Sequence, residues 1–147
     1  MMKWMRIAAL AVLPLCLACT SDGSGPDPDP ADDVDFIRLQ IGDQTVDVSP
    51  TNVSVTVDIP RGSTPISATF RRSTGTTIAL TGTEGFELQV ATANQDRLTF
   101  ERTGVFAGTL HAAVSGVTTF TVTLVHDNHT DFGPRTVTVN VLPLVDV

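Results

Sequence analysis

From Val34 onward, apolar residues recur at every second position. The sets are Ile37, Leu39 and Ile41; Val53, Val55, Val57 and Ile59; Ile66, Ala68 and Phe70; Phe86, Leu88 and Val90; Phe120, Val122 and Leu124; and Val137, Val139 and Val141. Successive side chains of a β-strand point to opposite faces, so each set predicts one strand with one buried face. The intervening positions agree with this. Asn52, Ser54, Thr56 and Asp58 would line the far face of one strand, and Thr119, Thr121 and Thr123 that of another, where β-branched threonine suits an exposed pleat. Turn-forming residues fall between the runs, at Gly42-Asp43, Ser49-Pro50, Pro60-Arg61-Gly62, Ser73-Thr74-Gly75, Gly82 to Gly85, Asn94-Gln95-Asp96 and Ser115-Gly116. No ten-residue segment reads better as a helix.

About seven to ten short strands with turns at this spacing predict an all-β fold of two packed antiparallel sheets over residues 34–147. A single sheet closed into a barrel remains open as an alternative, since periodicity says which face is buried but not how the sheet closes. Short strands with polar outward positions argue against an outer-membrane barrel. The stretch from Phe120 to Val141, FTVTLVHDNHTDFGPRTVTVNV, is similar to the terminal hairpin of bacterial immunoglobulin-like and cadherin-like sandwich domains. The segment from Val53 to Gly62, VSVTVDIPRG, resembles their early strand and turn. The resemblance covers about a third of the chain and implies architecture more than function.

The N-terminus has a different pattern. Lys3 and Arg6 precede an uncharged run from Ile7 to Ala18 that ends at Cys19. This is the plan of an export signal. Its apolar run would span about 18 Å as a helix against roughly 30 Å of bilayer hydrocarbon, too short for a permanent span. The segment Leu15-Cys16-Leu17-Ala18-Cys19 resembles the signal of bacterial lipoproteins, in which a cysteine after small residues is lipidated and heads the mature chain. The resemblance implies a signal peptide over residues 1–18, lipidation at Cys19, and an outer-membrane protein facing either the periplasm or the surface, since Thr20 is not the aspartate that retains such proteins in the inner membrane. Cys16 departs from the usual aliphatic residue at its position. An ordinary secreted product and a redox reading of Cys16-x-x-Cys19 are the alternatives, and a discarded apolar segment is a poor place for a redox pair.

Residues 19–33 read as the lipidated cysteine and a tether. Pro26, Pro28 and Pro30 alternate with aspartates and no large apolar side chain is present, so the segment cannot offset the entropy of folding. Extended near polyproline II geometry, at about 3.1 Å per residue, it would lift the domain clear of lipid headgroups. A cation site built from its aspartates is disfavoured, because side chains on an extended chain diverge.

Composition narrows the chemistry. Sixteen acidic against nine basic residues give a net charge of -7, which argues against nucleic acid as a partner. With Cys19 lipidated and Cys16 removed, no structural disulfide is available, so the sandwich must stand on its apolar core. No G-x-S-x-G or H-E-x-x-H occurs, and Glu84, Glu87 and Glu101 are the remaining acid–base candidates; the expectation is no catalysis. A sugar site usually stacks rings on Trp or Tyr, and no Trp or Tyr follows Cys19.

His126, Asp127, Asn128, His129 and Asp131 form the densest polar constellation, ahead of Phe132-Gly133-Pro134. Read as a loop at a sandwich end, residues 126–134 are the candidate contact surface, with Phe132 either exposed or folded back over the core. Asp127, Asn128 and Asp131 could offer oxygens to Ca²⁺, and His126, His129 and Asp131 could ligate a transition metal, but no defined ligand spacing is matched, and no metal or other cofactor is expected. His111 is the third histidine of the mature chain. The expected role is a lipid-anchored structural or protein-interaction module of the bacterial envelope, with a protein partner and an oligomeric state the sequence does not specify. The alternative is a module binding a glycan or a divalent cation.

Overall fold

The computed structural model describes residues 30–52 and 55–144. The signal-like segment, Cys19 and Val53 lie outside the described residues. Among the described residues ten strands make up two sheets: β1 (Phe36–Ile41), β2 (Gln44–Val48), β3 (Val55–Ile59), β4 (Gly62–Arg71), β5 (Thr77–Ile78), β6 (Phe86–Thr92), β7 (Leu98–Gly104), β8 (Ala107–Ala112), β9 (Gly116–His126) and β10 (His129–Val141). Short 3-10 turns at Pro30–Asp33 and Gly82–Glu84 are the only helical segments among the described residues.

One sheet has the order β2-β1-β4-β8-β7, with β5 added to β4; the other has the order β3-β10-β9-β6. All described pairings are antiparallel except β3 with β10, which run parallel in the register Val55↔Val137 to Ile59↔Val141. The alternating apolar sets meet between the sheets: Ile37, Leu39, Ile41, Val57, Ile59, Phe120, Val122, Leu124, Val137, Val139 and Val141 are all at most 1% exposed. The described residues therefore form an all-β sandwich, built on the face that the period-two runs assign to the interior.

Side chains and main chain join the sheets at their margins. On one side Gln44 Nε2 donates to the Asp58 carbonyl, and the Asp58 amide donates to Gln44 Oε1 at 3.2 Å, so one amide side chain acts as a missing strand residue between β2 and β3. On the other side the Leu88 amide of β6 donates to the Val105 carbonyl at 3.1 Å.

The first described turn corrects the sequence reading of the tether. Ala31, placed there in the spacer, is 2% exposed and joins the core cluster with Val34. Asp33 pairs with Arg72, the Asp35 amide donates to the Arg71 carbonyl, and Asp35 accepts from the Ser73 amide. The folded unit thus includes residues 30–33. Apolar contact by Ala31 and the pairing of Asp33 with Arg72 seat this turn.

Strand register fixes the poles of the sandwich. Phe36 lies opposite Arg71 at the end of β4, and Gly62 at the start of β4 lies opposite Ala112. Gly116 lies opposite Val141, while His126 lies opposite His129 at the far end of β9. The described chain therefore begins at the pole that carries the β9–β10 turn, and β10 ends at the opposite pole.

Candidate functional site

The segment expected as a loop from His126 to Pro134 is mostly strand. Only Asp127 and Asn128 lie outside the strands, with φ of 46° and 68°. Two consecutive left-handed residues are what a two-residue type I′ hairpin requires, and Asp and Asn tolerate that geometry. β10 resumes at His129 and absorbs Asp131, Gly133 and Pro134 through register shifts on either side of Phe132. Turn-forming residues here make irregularities within a strand.

Phe132 faces the interior. It lies opposite Leu124, is 5% exposed, and belongs to the core cluster, with the Arg135 guanidinium 5.5 Å from its ring centroid. The exposed alternative for this ring is set aside. Alternation brings it inward, because Leu124 opposite it points to the core and cross-strand partners share a face.

His126 sits at the last inward-facing position of β9. Its ring stacks on Phe86 with centroids 4.0 Å apart and planes at 24°. Nε2 is 3.7 Å from Asp127 Oδ2, and Nδ1 is 3.9 Å from Asp131 Oδ2. The hairpin thus brings His126, Asp127 and Asp131 together. Exposed His129 forms no ion pair with either carboxylate among the described residues, and Asn128 is exposed at the turn. Among the described residues no three His, Cys, Asp or Glu side chains converge in a metal-holding group. Beside the turn lies an open concavity of about 340 Å³, lined in part by Phe86, Glu87, Arg102, Val105 and Val125.

The three glutamates are held apart. Glu84 accepts from the Thr81 amide at 3.2 Å, Glu87 pairs with Arg102 at 3.1 Å, and Glu101 pairs with His111 at 3.1 Å. Glu87 and Glu101 are on the outer faces of different sheets. Each has its own partner, so none is poised against another as acid and base.

Register also produces a cluster that sequence inspection missed. Ser63 of β4 lies opposite His111 of β8, and Ser63 Oγ is 3.0 Å from His111 Nδ1. His111 Nε2 is 3.1 Å from Glu101 Oε2 on β7. Serine, imidazole and carboxylate thus form a chain across three strands of an outward sheet face. Residues 48 positions apart carry no local signal of such contact. Both His111 and Glu101 are substantially exposed, at 40% and 70% of the side chain, and water competes at every bond of the chain. It serves as a polar clamp across the face of the sheet.

On the same outer face, the Arg38 guanidinium meets Asp47 through two bonds of 2.7 and 2.8 Å between β1 and β2. That hydrogen bonding, reinforced by charge, holds the Asp47 carboxyl below its ordinary value against a smaller opposing effect of burial. Comparison of the chain with known protein families, with curated proteins and with solved structures returns no match.

Proposed function

We propose that this protein is a lipid-anchored immunoglobulin-like domain of the bacterial cell envelope that acts, without catalysis, as a structural or protein-interaction module. The observation that carries the reading is the succession of an export-type leader ending in Ala18-Cys19, a Pro/Asp-rich spacer, and a sandwich whose core closes around aliphatic and Phe side chains. Strand order supports the immunoglobulin-like part. With β3, β10, β9 and β6 taken as strands A′, G, F and C, and β4, β8 and β7 as B, E and D, the two sheets follow the order of that fold. The β1–β2 hairpin is then an addition beside strand B.

Lipidation at Cys19 would place two or three acyl chains in the bilayer, enough for stable attachment. Outer-membrane residence follows from Thr20, by the same likeness to lipoproteins. The tether would join the sandwich at the pole of the Asp127-Asn128 turn, so the flanks and the opposite pole would be the surfaces most open to a partner. The alternative reading, a module for a glycan or a divalent cation, would draw on His126, Asp127 and Asp131, which the hairpin brings near one another without forming a metal-holding group among the described residues.

Metabolic labelling with a radioactive fatty acid tests the anchor. Label is expected on the wild-type protein in the membrane fraction and none on Cys19→Ser, which is expected to accumulate as an uncleaved precursor or in the soluble fraction. An unlabelled mature chain beginning elsewhere would overturn the anchor. In-cell cross-linking tests the partner, and failure to capture any envelope protein would overturn the interaction role.

A further inference from the structure

Two strand edges face one another along one flank of the sandwich, and together they make a slot. β6 ends the four-stranded sheet and β7 ends the other. Near the turn pole the slot is closed. The Leu88 amide donates to Val105, Arg102 Nη2 donates to the Leu88 carbonyl at 2.9 Å, and Arg102 Nη1 pairs with Glu87. Below that clasp the edges separate around two adjoining concavities of about 400 and 380 Å³, which share Val90, Ala91 and Phe100.

The walls of the slot present main-chain groups. In an antiparallel pair successive residues turn their N–H and C=O alternately toward the partner and away from it. Leu88 bonds away from β9 and Ala93 bonds toward it, at Thr119, so Val90 and Thr92 also turn their amides and carbonyls into the slot. On the other wall the Arg97 carbonyl accepts from Ala113 on the β8 side, which by the same alternation turns Phe100 toward the slot. No hydrogen bond to Val90, Thr92 or Phe100 on these edges comes from any described residue. The half-buried Phe100 ring lies over Gly108, where an added Cβ would come within 2.2 Å of it. Val90, Ala91, Thr92, Gln95, Thr99 and Phe100 make the 380 Å³ concavity uncharged in a chain of net charge -7, while Glu87 and Arg102, paired with each other at the clasp, are the charged groups lining the 400 Å³ one.

We propose that this slot receives one extended segment of another protein, which pairs as a strand with Val90 and Thr92 on β6 and with Phe100 on β7, and lays an uncharged apolar side chain on the Phe100 ring. The inference rests on the interaction-module reading and names its site. Unpaired strand edges are templates for another strand, and main-chain bonding supplies the affinity while alternate side chains supply the selectivity. A recess walled by two edges admits a single strand, whereas the edge of a second sandwich would bring its own flanking strand against β7. The proline-spaced tether is no substitute occupant, since Pro26, Pro28 and Pro30 have no N–H to donate and the chain joins at the clasped pole.

The test uses the purified full-length protein, labelled with ¹⁵N, and an array of end-blocked heptapeptides whose alternate residues are Val, Ile, Leu, Phe or Thr. Binding members are expected to shift the Val90 and Thr92 amides and to slow their hydrogen exchange at least tenfold. N-methylation of alternate peptide residues should abolish both effects. Val90→Pro removes one edge donor at a position where an edge strand tolerates proline, and should weaken binding at least tenfold with little change in melting temperature. Should that variant fail to fold, the N-methylated peptides still decide. The proposal is overturned if no member moves those amides, if N-methylated peptides bind equally well, or if rising protein concentration alone protects Val90 and Thr92, which would assign the slot to a second copy. Binding elsewhere on the domain, or capture of a partner by in-cell cross-linking with the slot unperturbed, would reject the slot and leave the interaction role standing. Absence of both would reject the role itself.

Discussion

Replacing Phe132 with alanine separates a ring that packs the core from one that meets a partner. A Phe side chain has about 150–250 Å² to bury, and at about 25 cal/mol per Å² removing all but its Cβ forfeits roughly 3 kcal/mol of transfer free energy. A cavity that does not refill raises the loss to about 3–5 kcal/mol. The register shifts on both sides of Phe132 give β10 some freedom to relax into the gap, which favours the lower half of that range. For a domain of this size the corresponding drop in melting temperature is roughly 12–20 °C. Thermal unfolding followed by circular dichroism measures it, with Phe132→Leu as the size control, expected to lose only about 1–1.5 kcal/mol. A folded Phe132→Ala protein melting within about 4 °C of wild type would refute the burial of this ring and restore it as a surface contact.

Other perturbations test separate parts of the structure. Val57→Asp should be more damaging than Val55→Asp, because Val57 is 1% exposed in mid-strand while Val55, at 7%, begins β3; expression and denaturant midpoints rank the two. At the β9–β10 turn, Asn128→Gly should be neutral or stabilising, and Asn128→Val should cost about 1–2 kcal/mol, measured by urea unfolding. Gly108→Ala should destabilise the fold and displace Phe100, because the added Cβ would also lie 2.6 Å from the Glu101 carbonyl oxygen; the Phe100 ring resonances report it. Asp47 is held below its ordinary carboxylate value when folded, so its pairing with Arg38 adds stability that is fully present above about pH 4 and is lost as pH falls through the lowered folded value. The melting-temperature gap between wild type and Asp47→Asn should therefore close in acid, and a gap that widened below pH 4 would contradict the pairing.

The strands legible in the sequence were those whose inward residues are large. β1, β3, β4, β6, β9 and β10 each carry Val, Ile, Leu or Phe at alternate positions, and hydrophobic burial orders them directly. The strands without such a pattern have weaker inward rows. In β8 the inward set is Gly108, Leu110 and Ala112, and in β7 Leu98 is the one fully buried side chain before Glu101 and Arg102. Small and charged residues there are held by neighbouring strands, so tertiary context outweighs the local pattern. The segment 126–134 misled in the opposite sense. Asp, Asn, Gly and Pro favour turns, yet pairing along β9 and the burial of Phe132 keep His126 in β9 and draw residues 129–134 into β10, leaving only Asp127 and Asn128 as turn. Ser63 meets His111 only through the pairing of strands distant in sequence, and Glu101 joins them across the β7–β8 hairpin, so no single stretch of sequence encodes the whole cluster.

The placement of the two ends has a mechanical consequence. A pull applied at Phe36 and resisted at Val141 runs along the strand axes, since these residues occupy opposite poles and β1 and β10 lie between them. The ladder of β1 with β4, with six residue pairs from Phe36↔Arg71 to Ile41↔Ile66, is then loaded in shear, with its bonds sharing the force together. A hairpin drawn apart from one end would instead lose its bonds one after another. The Arg38–Asp47 pair ties β2 to β1, so the hairpin would move as one block under such a load. A sandwich held at its first strand and engaged from its flank or far pole would therefore keep its fold under tension that would unzip a perpendicular attachment.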